Sequence, residues 1–283
     1  MDLKDVTVDC SSVIDKLKNS IKVATKKVYS KKIFILNVLV TQEQSTLFTD
    51  LDFLTDELAE DDYKIQLEKT IDFTGIKENI FSTVTDLNND ERYGGIFIDK
   101  LDSVLEDYES IIYSMVHPTK DVSSLNVVNS GLLFYNQQLI FPPIVSTVIK
   151  LLESESIKLA GQHIVILNKS SYLGKPLSMA LVQKDANVSL LDKRMKEFKK
   201  VCKNANIVIS AINEPLSINM SMLKKDVIFI DIGDALSRTN NLIPDDNIVS
   251  KYFDSQDIYQ IYLLFILYNF LRVIFFNNKD LFE

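Results

Sequence analysis

Tryptophan is absent from this chain, and cysteine, histidine, proline and glycine are all scarce. Two cysteines, Cys10 and Cys202, are too few for a disulfide framework and fit no metal-binding spacing. The expected setting is therefore the cytoplasm or another reducing compartment. Two histidines, His117 and His163, exclude a His-rich metal site, and no metal is expected. Nor do two isolated imidazoles support a Ser-His-Asp or Cys-His nucleophile; His163 lies on a buried-strand pattern, where a core role fits better. A basic excess is also missing, because 31 Lys and Arg stand against 39 Asp and Glu, a net −8. That leaves no charge to neutralise phosphates, so nucleic acid is excluded as a general partner. The stretch Met1 to Lys16 carries charge without an apolar core, and no secretory signal is expected there. Seven glycines among many Lys, Asn and Ile point to compositional drift, which erodes motifs as well as surfaces.

What is present is apolar: 46 % of 283 residues, enough for two ordinary cores. Val13, Leu17, Ile21, Ala24 and Val28 recur at helical spacing. Ile33 to Val40, broken only by Asn37, suits a buried parallel strand. Ser45 is placed to cap a helix over Leu47, Leu51, Leu54 and Leu58. Tyr63 to Leu67 alternates like a strand, Asn79 to Leu87 reads as a helix, Gly95 to Ile98 as a second buried strand, and Val104 to Met115 as a helix stopped by Pro118. This alternation predicts a layered α/β lobe. A helix from Ile144 to Leu152 follows Pro142-Pro143. Four strands then recur at His163–Leu167, Val188–Leu191, Ile207–Ala211 and Val227–Ile232, with helices at Ser178–Lys184 and Met195–Lys203 between the first three. That is the pattern of a doubly wound, Rossmann-type lobe.

The fold class is therefore α/β with two lobes: residues 1–143 form the first, rejoined by a C-terminal helix over 255–283, and residues 144–254 form the second. The tail from Ile258 to Phe276 is almost wholly apolar and nearly long enough to cross a bilayer, which needs about 20 residues. Asn269 and Arg272 near its end, and its single copy, favour a helix packed in the core or in a dimer over a membrane span.

The most informative stretch is Ile164-Val-Ile-Leu-Asn-Lys-Ser-Ser-Tyr-Leu-Gly-Lys-Pro176. An apolar strand enters a short polar turn and leaves through Gly174 into an amphipathic helix, a place where a helix N-terminus can receive a phosphate. Asn168 stands where such a turn usually has its first Gly, and Asn tolerates left-handed geometry better than most residues. Lys169, Ser170 and Ser171 offer donors. Asp192, at the end of the next strand, is placed to accept from ribose hydroxyls and so favours NAD over NADP. Lys193 and Arg194 follow it and are the alternative, as partners of a 2′-phosphate. An ordinary βα turn and a solvated Asp, with no dinucleotide bound, remain the bland reading of the same residues.

Gly161 to Leu177 resembles the cofactor turn of the methylenetetrahydrofolate dehydrogenase/cyclohydrolase family, which usually reads Gly-Arg-Ser-x-x-Val-Gly-x-Pro. Some NAD-dependent monofunctional members have Asn for the first Gly. Val116-His-Pro-Thr-Lys-Asp-Val122, with Asn129 and Gly131, is similar to the family's His-Pro-x-Lys-Asp-Val-Asp-Gly segment. Leu87 to Asp90 with Gly95 to Ile98, Val227 to Gly233, and Asn213-Glu-Pro215 resemble further family segments in the same order. Together these span most of residues 9–246. The resemblance implies an α/β lobe, a Rossmann lobe, a tetrahydrofolate derivative bound between lobes, NAD or NADP as cofactor, and a homodimer.

It also implies losses. The family's Tyr-x-x-x-Lys helix, whose Lys drives cyclohydrolase chemistry, reads Phe48 and Asp52 here, so a hydroxyl is gone and a cation has become an anion. Asp99 stands for the Gln of a Val-Gln-Leu-Pro loop. Ser123 and Ser124 stand for the Asp and Gly that meet the pterin. A Pro-Cys-Thr-Pro turn is reduced to Ile140-Phe-Pro-Pro143, and a Gly-rich segment has no counterpart between Tyr252 and Tyr262. Asp52 and Asp99 are either a new acidic site for a cation or a base, or solvated positions in a vacated cleft. Two functions follow: a divergent NAD(P)-dependent methylenetetrahydrofolate dehydrogenase of one-carbon metabolism without cyclohydrolase activity, or a pseudoenzyme keeping the fold as a binding or dimerising scaffold.

Overall fold

The computed structural model describes residues 7–30, 32–60, 63–72, 75–101, 103–192, 195, 197–211, 218, 220–233, 248–253 and 255–281. It divides into two compact units, one of residues 14–143 with 263–283 and one of residues 1–13 with 144–262. The first thirteen residues and the opening turns of the last helix thus group with the later unit rather than the earlier one.

In the unit of 14–143 with 263–283, helix α1 (Ser11–Tyr29) begins in the other unit and buries Leu17, Ile21 and Val28. Strand β1 (Ile35–Val40) lies between β2 (Gln66–Ile71) and β3 (Tyr93–Ile98) in a parallel sheet of order β2-β1-β3. The central strand Ile-Leu-Asn-Val-Leu-Val is nearly all buried, as a parallel strand covered on both faces requires. β2 is one of the two edge strands and carries Glu68 and Lys69, charges that blunt further pairing. It starts three residues later than the alternation at Tyr63 suggested. Helices α2 (Leu47–Leu58), α3 (Lys77–Asn89) and α4 (Glu109–Met115) supply the layers, and Ser103–Tyr108 before α4 is a 3-10 helix rather than a continuation of it. A further helix, α5 (Val127–Phe134), was not legible; Asn126 caps it by accepting from the Val128 N–H at 2.7 Å. Thr46 holds the N-cap position of α2 without a side-chain capping bond, and the Ser45 Oγ just before it accepts the Leu47 N–H at 3.3 Å.

The second unit starts from α6 (Pro143–Ser154). Its strands are β4 (His163–Leu167), β5 (Asn187–Leu191), β6 (Ile207–Ser210), β7 (Val227–Asp231) and β8 (Val249–Phe253), all parallel in the order β5-β4-β6-β7-β8. The last of these went unread, because Ser250 and Lys251 interrupt its apolar residues. Helix α7 (Gly174–Val182) follows β4, and α8 (Phe198–Cys202) is shorter than its pattern implied. One core cluster is drawn from alternate residues on a single face of these strands: Val165, Leu167, Val208, Val227 and Phe229 are buried with Tyr252 stacked on Phe229 at 6.2 Å. Cys202 joins this core, and burial pushes its thiol up to about 11, which makes it inert at neutral pH. His163 is half-buried and structural, with Nδ1 3.2 Å from the Asn204 carbonyl and Nε2 2.9 Å from the Ser189 Oγ.

Helix α9 (Ser255–Asn277) is long and apolar enough to cross a membrane by composition, yet 72 % of its apolar window is buried inside the protein. That is the signature of a core helix. Gly95 on β3 permits the contact, since a Cβ there would lie 2.7 Å from the ring of Phe270 and from Val122. Asn269, 2 % exposed, donates through Nδ2 to the Phe141 carbonyl at 2.8 Å and to the Val122 carbonyl at 3.3 Å. Asn269→Ala should lower stability by about 1–3 kcal/mol, because two buried carbonyls lose their donor. An unchanged urea-denaturation midpoint would show that the asparagine does not anchor the helix.

Candidate functional site

The turn after β4 is built from its own side chains. The Asn168 Oδ1 accepts both the Ser170 N–H at 2.9 Å and the Ser170 Oγ–H at 2.7 Å, and the Ser170 Oγ accepts the Leu173 N–H at 3.1 Å. The Ser170 hydroxyl is thereby spent inside the turn and is not a donor for a ligand. Asn168 is not at positive φ either, so its value lies in this side-chain acceptor rather than in left-handed geometry. Gly174 opens α7 so close to the strand that a Cβ would lie 1.9 Å from the Asn168 carbonyl oxygen. No other residue fits that approach. Lys169 is exposed, Ser171 is half-buried, and the Lys175 ammonium donates to the Ser171 Oγ at 3.3 Å, adding a cation that motif reading passed over. Tyr172 is held by the Tyr262 hydroxyl at 2.5 Å.

Leu167 pairs with Leu191 on β5 and with Ser210 on β6, and Ser210 pairs with Asp231 on β7. Asn168 and Asp192 are therefore neighbours at the carboxyl edge of the sheet, each one residue beyond a paired position. β4 is flanked by β5 on one side and β6 on the other, so the strand order reverses beside it, at the edge where such sheets bind ligands. The Ser210 Oγ is buried at this edge and has no hydrogen-bond partner among the described residues. An orphaned hydroxyl there fits a polar ligand group at the sheet edge. Lys193, Arg194 and Asn213 to Pro215 lie outside the described residues.

In the other unit, Phe48 and Asp52 stand one turn apart on α2, and Asp99 directly follows β3. Asp52 is not alone: the Lys64 ammonium reaches it at 3.4 Å and Asp56 at 2.6 Å, and the two acids hold that ammonium above its ordinary value, Asp56 most. Lys69 lies 5.7 Å over the Phe48 ring. The field at α2 is thus compensated by two lysines rather than inverted. Asp99 accepts the Ser45 hydroxyl and the Lys100 N–H, and burial raises its carboxyl above the usual range against those bonds. Neither acid is a freely solvated position, and each has its own partners. Among the described residues no three Asp, Glu, His or Cys side chains gather into a cation site.

Residues 120–129 form a polar cluster in that unit. The Lys120 Nζ donates to the carbonyls of Asn88 and Asp90 at 2.8 Å and so closes the C-terminal end of α3. The Asp121 Oδ2 accepts the Asn126 N–H at 2.8 Å and the Asn129 Nδ2 at 2.9 Å. Fully buried, Asp121 has its carboxyl pushed up to about 6, desolvation outweighing those hydrogen bonds. Ser123 is buried at 2 % exposure, and Ser124 sits at φ 57°, with its Oγ donating to the Ile140 carbonyl at 3.0 Å.

Residues 142–251 match the family model described as tetrahydrofolate dehydrogenase/cyclohydrolase, NAD(P)-binding domain. The bifunctional protein FolD of Mesoplasma florum is 31 % identical over 160 residues, 56 % of this chain. Over these residues the chain resembles the methylenetetrahydrofolate dehydrogenase/cyclohydrolase family. The matched stretch spans 54 % of that relative, about half its length. The fold extends the likeness to nearly the whole chain. The bifunctional FolD of Campylobacter jejuni superposes with a TM-score of 0.80 at 20 % identity, over 96 % of this chain and 99 % of that one. The NAD-dependent 5,10-methylenetetrahydrofolate dehydrogenase of Saccharomyces cerevisiae does so with a TM-score of 0.77 at 16 % identity, over 97 % and 98 %.

Ser124 lies in the left-handed region that favours Gly, and its hydroxyl reaches the Ile140 carbonyl. β8 ends at Phe253 and α9 starts at Ser255, so no loop stands where the family's Gly-rich segment would be.

Two outcomes follow from these contacts. Gly174→Ala should destabilise the protein by at least about 2–3 kcal/mol, since the clash is with backbone that has no rotamer to yield; a Tm equal to that of the unaltered protein would refute the close approach. Because folding raises the Asp121 pKa above its unfolded value, its contribution is full below about pH 4 and lost as pH rises through about 6. The loss is on the order of 3 kcal/mol, and Asp121→Asn should remove it. Urea titrations at pH 4 and pH 7 check this, and parallel pH profiles for the two proteins would count against it.

Proposed function

We propose that this protein oxidises 5,10-methylenetetrahydrofolate with NAD and has no cyclohydrolase activity. The observation that carries the reading is the β4–α7 turn, where Gly174 rests on the Asn168 carbonyl at the sheet's carboxyl edge beside Asp192. A dinucleotide supplies a hydride acceptor when bound. Lys169, Ser171, Lys175 and the backbone around Gly174 would hold its phosphates, with Asn168 and Ser170 shaping the turn. Asp192 would accept from ribose hydroxyls, which favours NAD, and Lys193 stands next to it in the sequence. Hydride transfer needs position more than acid–base groups, so it survives changes that end hydrolysis. Phe48 has no hydroxyl to polarise a bond, and Lys64 and Lys69 meet Asp52 and Phe48 from outside α2 instead of projecting from it. We include a homodimer in this proposal, to be checked by sedimentation.

The second reading, a scaffold without folate chemistry, is favoured by the burial of Ser123 and by the direct passage from β8 to α9. Titration calorimetry with NAD, NADP and a tetrahydrofolate analogue, joined to NADH formation at 340 nm, separates the two. NADH formation with NAD bound more tightly than NADP supports the dehydrogenase. Asp192→Ala should then weaken NAD about tenfold, the worth of a charged hydrogen-bond pair. NAD binding without folate binding leaves the scaffold, and binding of neither overturns the dehydrogenase.

A further inference from the structure

Away from these residues, α1 and α9 enclose a groove within the unit of 14–143 with 263–283. Its volume is about 760 Å³, the size of a small-molecule site rather than of a protein-sized surface. Val23, Ala24, Val28, Leu271, Phe275 and Phe276 give it apolar walls, and Val23 and Phe276 remain 72 % and 48 % exposed. The charged residues in its lining are Lys27, Arg272 and Lys279, with no carboxylate among them, in a chain whose net charge is −8. None of the three is in an ion pair among the described residues. Each lies instead over a different aromatic ring: Lys27 4.5 Å from Phe275, Arg272 5.9 Å from Tyr268, and Lys279 4.5 Å from Phe276.

We propose that this groove binds a single-chain carboxylate, with its apolar chain along Val23, Ala24 and Leu271 and its head group at the cations. The complementarity is twofold. The walls remove a hydrocarbon chain from water, and cations without acidic partners provide the counter-charge. A carboxylate also matches the planar fork of Arg272. The site is independent of the folate reading and uses none of its residues.

The test uses the full chain and the fluorescent acid dansylaminoundecanoate, kept below its micelle concentration, with dodecanoate and dodecanol as competitors. Saturable binding is expected, with dodecanoate displacing the probe at least about tenfold better than dodecanol. The double variant Lys27→Met, Arg272→Met keeps the apolar stems and should bring dodecanoate to the level of dodecanol. Ala24→Trp should fill the groove and abolish both. Equal competition by the alcohol, or an unaltered affinity in the double variant with a native circular dichroism spectrum, overturns the proposal. So does binding to phosphatidylglycerol vesicles without binding of the monomeric acid, which would make this face a membrane contact. Self-association that Ala24→Trp disrupts, with no probe binding, overturns it in favour of a second copy.

Discussion

The approach of Gly174 to the Asn168 carbonyl is the constraint on which the candidate cofactor site depends. It lets α7 begin directly over the end of β4, and a side chain of any size would push the two apart. Once that contact is made, the turn between them has little freedom left. Asn168 gathers Ser170, Ser170 gathers Leu173, and the helix starts with its first turn already oriented. The parallel sheet then places Asp192 and Ser210 at the same edge, because both follow from the register with Leu167. The candidate site is a consequence of one missing methyl group and two strand pairings.

The other unit is held by buried polar contacts of a different kind. Lys120 closes the end of α3, Asp121 draws the following loop around itself, and Asn269 ties α9 to two carbonyls. At α2 the charges meet at the surface instead: Asp52 pairs with Lys64, and Phe48 lies under Lys69. A half-exposed ion pair of this sort adds little stability, but it stops the carboxylate from setting the local field by itself.

Much of this was legible in the chain. The strand at His163–Leu167 matches its apolar run residue for residue, because a strand buried on both faces leaves no ambiguity of period. The family resemblance followed from short motifs in order. Other elements were hidden for physical reasons. β8 has exposed Ser250 and half-exposed Lys251 in its middle, as an edge strand tolerates, so its apolar count was too low to register. α5 exposes Val127, Val128 and Phe134, which gives it no clean amphipathic stripe. Thr46 holds the N-cap position of α2, while the Ser45 oxygen accepts the Leu47 N–H and its hydroxyl donates to Asp99, a link that local pattern does not reveal.

The sequence by itself determined the α/β class, the order of the units along the chain and the βα turn at Gly174. Those depend on local period and on residues whose backbone limits are intrinsic. The tertiary structure alone decided which charges meet. Ser45 with Asp99 and Lys27 with Phe275 join residues far apart in the chain, and Lys64 reaches Asp52 only because the chain turns back after α2. Their energies depend on burial and distance, and neither exists until the chain has folded.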